Sequence, residues 1–220
     1  MKQLTVVVLL FISLSMFSQT NIQLHYDFGA NRNYLTSTIE RFKPDANGSL
    51  FYFIDFNYSA NGPIEAYMEI ARELKFWDAP FSAHIEYNGG LHSQSFTGFN
   101  INNAYLIGGT YSLNSKDFTK GISLSAMYKY IQKNAEPNNF QLTAVWYLHM
   151  LNRKVSFTGF ADFWREKTFL GTEFIFLSEP QIWYNITDKI SAGSEIEFGY
   201  NFGGVKGFNV CPTLAVKYNL

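Results

Sequence analysis

Asn21-Ile22-Gln23-Leu24-His25-Tyr26-Asp27-Phe28 alternates strictly between polar and apolar residues. Successive side chains of a β-strand point to opposite faces, so this octet describes a strand with one wet face and one greasy face. The same reading recurs along the chain. Phe81 to Gly89 sets Phe81, Ala83, Ile85 and Tyr87 against Ser82, His84, Glu86 and Asn88. Phe140 to Met150 sets Leu142, Ala144, Trp146 and Leu148 against Gln141, Thr143, Tyr147 and His149. Ile190 to Phe202 sets Ile196, Phe198, Tyr200 and Phe202 against Ser191, Glu195, Glu197 and Asn201. Phe208 to Leu220 closes the chain in the same way, with Val210, Leu214, Val216 and Tyr218 opposite Asn209, Thr213 and Lys217.

Turn-forming clusters separate these runs, among them Asp45-Ala46-Asn47-Gly48, Asn61-Gly62-Pro63 and Thr187-Asp188-Lys189. They divide the chain into twelve segments: 21–29, 34–43, 49–59, 64–76, 81–90, 103–113, 121–132, 139–150, 154–165, 169–186, 190–202 and 207–220. Most reach the roughly 9–11 residues that a tilted membrane strand needs. Twelve is even, as a single-chain barrel with both termini on the periplasmic side requires. With the first strand running outward, the short turns at 151–153 and 187–189 fall on the periplasmic side, and the longest connection, 91–102, falls outside. Segment 64–76 also fits an amphipathic helix; the strand reading is preferred because a helix would leave eleven strands. As a strand it sends Arg72 to the lipid face, which is tolerable only near the interface or with a bulge. Pro180 implies a bulge or break within 169–186. The alternation in 34–43 leaves its wet face undecided.

The first eighteen residues read as a secretion signal. Lys2 precedes the short apolar run Leu4 to Phe17, and Ser18 is a small residue at a plausible cleavage point. Residues 19–220 would then form the barrel. Aromatic residues make up 18% of the chain and hydrophobic residues 47%, yet no stretch beyond the signal approaches the length of a membrane helix. Such a composition suits an all-β, transmembrane, antiparallel up-and-down barrel of about 12 strands in the outer membrane of a Gram-negative bacterium. Its partners would be outer-membrane lipid, the barrel-assembly machinery and small polar solutes. A net charge of −1 argues against nucleic acid. Cys211 is the only cysteine, which excludes an internal disulfide and a cysteine-based zinc cluster.

Neither H-E-x-x-H nor G-x-S-x-G occurs, and no haem, nucleotide or metal motif is present. Of the four histidines, His84 and His149 alternate onto the wet face, away from the lipid-facing surface a phospholipase barrel would use. No enzyme, cofactor or metal is therefore expected. The wet face carries carboxylates, amides and large rings, and acids outnumber bases. That combination suits cationic or neutral polar solutes, with rings stacking on a flat heterocycle and carboxylates accepting from hydroxyls. The alternative is a structural or surface-interaction barrel with a closed lumen, in which the same groups bond only to one another.

Two stretches resemble a known family. Gly48-Ser49-Leu50-Phe51-Tyr52-Phe53-Ile54-Asp55-Phe56-Asn57 resembles the aromatic strand, ending in an aspartate, of the Tsx-like nucleoside-specific channel-forming outer-membrane proteins. Phe176-Leu177-Ser178-Glu179-Pro180-Gln181 is similar to the Glu-Pro-Gln strand of related barrels. The resemblance implies a monomeric twelve-stranded barrel through which nucleosides diffuse. Combined with the alternation, it singles out Phe53, Asp55, Glu86, Glu179 and Trp183 as residues lining a solute path.

Overall fold

The computed structural model describes residues 19–30, 32–94 and 97–220, so the secretion-signal reading of residues 1–18 falls outside them. Among the described residues thirteen strands run in chain order: β1 (Gln19–Asp27), β2 (Leu35–Asp45), β3 (Gly48–Ser59), β4 (Gly62–Leu74), β5 (Phe81–Gln94), β6 (Thr97–Asn114), β7 (Lys120–Ile131), β8 (Asn138–Met150), β9 (Val155–Arg165), β10 (Phe174–Ser178), β11 (Gln181–Asn185), β12 (Ile190–Tyr200) and β13 (Phe208–Asn219). Each pairs antiparallel with its neighbours, and β1 pairs with β13, which closes the sheet and leaves no edge.

β10 and β11 are two halves of one stave. Both lie between β9 and β12, in one continuous register: Ser178 faces Phe198 and Gln181 faces Glu195. The barrel therefore has twelve staves. The break falls at Glu179-Pro180, as expected of a residue without an N–H. Gly159 on β9 makes room for it: a Cβ there would lie 2.7 Å from the Glu179 carbonyl oxygen and 2.8 Å from the Trp146 ring. Trp146 covers that gap from the outside.

Segment 64–76 is strand through Leu74, within β4, and its last two residues open the turn that follows. Arg72 points outward, as the strand reading required, but it sits at the rim, where it forms a two-pronged ion pair with Asp45 (2.6 and 2.9 Å). At the interface such a charge costs little. The register with β1 and β3 resolves β2, placing Thr36, Thr38 and Glu40 inward.

The expected long outer loop at 91–102 is instead hairpin. β5 continues to Gln94 and β6 starts at Thr97. Alternation fades there because a bulge between Asn88 and Gly90 shifts the register. β6, at 18 residues, also exceeds what a membrane crossing needs, and strands that leave the bilayer meet water on both faces.

The outer wall is apolar. Ile22, Leu24 and Tyr26 on β1, Ile85 on β5, Leu124 and Tyr128 on β7, and Leu214, Val216 and Tyr218 on β13 are all exposed. So wide an apolar surface is that of a barrel solvated by lipid. Phe76, Trp77 and Phe118 protrude from turns at the end that carries the termini, where an aromatic girdle meets headgroups.

One of those turns provides a test of local order. Asp117 accepts hydrogen bonds from Ser115 Oγ (2.7 Å) and from the Thr119 amide (3.2 Å). The Ser115 bond and its companions hold the carboxyl down at about 2. A carboxyl depressed in the folded state stabilises fully above its ordinary value near 4 and loses that contribution as pH falls toward 2. Thermal melts from pH 6 to pH 2 should therefore show a slightly smaller acid destabilisation for Asp117→Asn than for the wild type. Equal acid sensitivity would count against an ordered turn.

Candidate functional site

The inward faces of the staves hold most of the barrel's chemistry. Asp27, Glu40 and Asp55 point inward from β1, β2 and β3, and Glu65, Glu69 and Glu73 from β4. Glu86, Asp162, Glu195 and Glu197 add to the set from β5, β9 and β12, and Glu179 joins them from the break between β10 and β11. Among the described residues Lys129 and Lys217 are the only lysine or arginine side chains that a strand brings to the same face, beside the histidines His25, His84, His92 and His149, and Arg32 reaches in from the β1–β2 loop. The interior is strongly acidic although the whole chain is nearly neutral.

Short-range partners hold these groups. Asn21 donates to Glu40 (2.9 Å) and Gln181 to Glu195 (2.6 Å). Tyr67 donates to Glu69 (2.7 Å), and Thr143 donates to Asp162. The His84 ring bridges Glu73 (2.6 Å) and Glu86 (2.9 Å). Lys129 donates to Gln141 (2.7 Å) and lies 4.5 Å over the Trp164 ring. Arg32 spans Asp27 (3.1 Å) and Glu197 (2.8 Å), pinning the β1–β2 loop into the mouth of the barrel.

All five residues expected to line a solute path face inward, but they do not form one constellation. Phe53 sits beside Phe51 and Tyr67, with ring centroids 6.0 and 6.1 Å away, and partners Glu69 in the register. Asp55 accepts from Thr38 and partners Tyr67. Glu86 belongs to the His84 bridge. Glu179, at the strand break, lies among the charges of Glu195, Glu197 and Asp55.

Trp183 departs from the expectation. It has no exposed surface. Lys217 covers its face at 3.9 Å, His25 meets it edge-on at 5.9 Å, and its Nε1 donates to Gln181 (2.9 Å). Gly193 lies beneath it: a Cβ there would come within 2.5 Å of the ring. With Gln23 and Ser191, also enclosed, Trp183 forms a packed floor toward the end that carries the termini. It therefore offers no free ring to a solute.

Phe202 is a second departure. Expected on the lipid side, it lies beyond the end of β12 and folds inward, edge-on to Trp164 at 6.0 Å, against a cluster with Ile175 and Leu177. Alternation stops predicting facing once the chain leaves the sheet. Arg32 was missed for the same reason: in the sequence it is one residue of a turn cluster, and nothing local marks Glu197 as its partner.

This architecture is shared with solved porins. The KdgM porin is 13% identical, with 92% of this chain and 99% of that chain covered and a TM-score of 0.55. The NanC porin is 12% identical, with 91% and 100% covered and a TM-score of 0.59. At those identities the likeness establishes the fold, a closed barrel of outer-membrane type. Among proteins of curated function, none matches the chain. A family described as a domain of unknown function, DUF5020, matches residues 19–220, and the chain belongs to that family.

Proposed function

We propose that the barrel is an outer-membrane channel for passive diffusion of small polar solutes, neutral or cationic, with nucleosides as the preferred class. The observation that carries this reading is the acidic, ring-bearing inner wall, in which Phe53 and Tyr67 stand next to Asp55 and Glu69. A base would stack on the rings while the carboxylates accept from sugar hydroxyls. The likeness of the Phe53–Asp55 and Glu179–Gln181 strands to Tsx-like channels supports the same class. Stacking is worth on the order of 1–3 kcal/mol per base, weak enough for release. The mature protein would begin near Gln19, where the family match begins; N-terminal sequencing of the exported protein checks this.

In planar bilayers the purified barrel should carry a cation-selective current that adenosine blocks. Phe53→Ala and Asp55→Ala should each weaken the block several-fold while the barrel stays folded. The packed floor around Trp183 favours a second reading, a scaffold with a closed lumen. Absence of both current and nucleoside uptake in liposomes would establish that reading and remove the channel.

A further inference from the structure

We infer that Glu86 and Asn88 form a binding station for a primary ammonium group inside the barrel; solute access to it rests on the channel reading. The two residues alternate on β5, and both face inward. The Glu86 side chain is only 10% exposed, and Asn88 only 4%. One Glu86 oxygen is taken by His84, but Glu86 Oε1 and Asn88 Oδ1 are buried acceptors without a partner. Buried oxygens are rarely left unpaired, and two on adjacent inward positions point to a missing donor. Glu69 stands directly across from Asn88 on β4, and Tyr67 occupies only its Oε1.

The missing donor should be cationic. On its β6 side, Glu86 faces buried Leu106 and Asn88 faces buried Ala104, so the flank is apolar and electrostatic attraction is strengthened there. Lys129, the nearby strand base, spends its ammonium on Gln141 and the Trp164 ring, and among the described residues it pairs with neither Glu69 nor Glu86. Glu86 Oε1 and Asn88 Oδ1 offer two acceptors, and Glu69, across from Asn88 in the register, carries a third oxygen that Tyr67 leaves unbonded, as many as the N–H donors of an ammonium head. A calcium ion would need six to eight oxygens, and no group of three or more metal-ligating side chains occurs among the described residues.

The test is calorimetric titration of the folded mature barrel in detergent with ethylammonium chloride, alongside tetraethylammonium and calcium chloride. Ethylammonium should bind; tetraethylammonium, which has no N–H, should not. Glu86→Gln should weaken binding about tenfold and Asn88→Ala several-fold, with folding checked by the heat-dependent gel mobility of intact barrels. The station is overturned by absence of ethylammonium binding, by a preference for calcium, or by unchanged affinity in both folded variants. Bilayer recordings separate the two readings. Binding without current keeps the station and removes the channel, whereas current without binding keeps the channel and removes the station.

Discussion

Replacing Trp183 by alanine is expected to destabilise the barrel by about 3–5 kcal/mol, the usual cost of emptying a large buried aromatic site. Three observations place the indole among such sites: it has no exposed surface, Lys217 covers its face, and Gly193 lies against it with no room for a Cβ. The cavity would border Lys217, His25 and Gln181, whose polar atoms would then admit water. A lowered unfolding midpoint in urea with an unchanged slope measures the first effect. Under the channel reading, the same substitution should raise single-channel conductance several-fold, because it removes a large side chain that is fully enclosed within the lumen. Unchanged stability would mean that the floor is not packed as described. Lower stability with unchanged conductance would place the limiting constriction elsewhere.

The second large effect concerns facing. Ala144 and Thr143 are neighbours on β8, but Ala144 points to lipid while Thr143 points inward and donates to Asp162. An arginine at mid-membrane on the lipid face costs roughly 2–4 kcal/mol. On the inner face the same arginine meets Asp162 in an acidic interior. Ala144→Arg should therefore cut assembled barrel in the outer membrane sharply, while Thr143→Arg should assemble close to the wild-type level. Equal tolerance would contradict the register, because a shift of one residue exchanges every side chain between the two faces. Heat-modifiable mobility of membrane fractions distinguishes the outcomes.

The facing of individual residues was legible in the sequence because it is a local property. A strand alternates with period two whatever it pairs with, so Asn21 to Phe28 already separates Gln23, His25 and Asp27 from Ile22, Leu24 and Tyr26, and the structure keeps that division. The number of staves followed from counting such runs, and the break at Pro180 followed from its missing donor. Where alternation weakened, the reading failed: β5 and β6 were cut short at the bulge near Gly90, and Phe202 was assigned to lipid from a position outside the sheet.

What only the tertiary structure decided is which inward residues meet. Closing the sheet between β1 and β13 brings Arg32 to Glu197, 165 positions away in the chain, and the pairing of β11 and β13 on either side of β12 lays Lys217 on Trp183. Those contacts depend on the stagger of every stave around the ring, which no local pattern encodes. Alternation could say that Trp183 and Phe53 both face the lumen. The closure of the barrel decided that Trp183 is sealed into a floor while Phe53 stands beside Tyr67 on the inner wall.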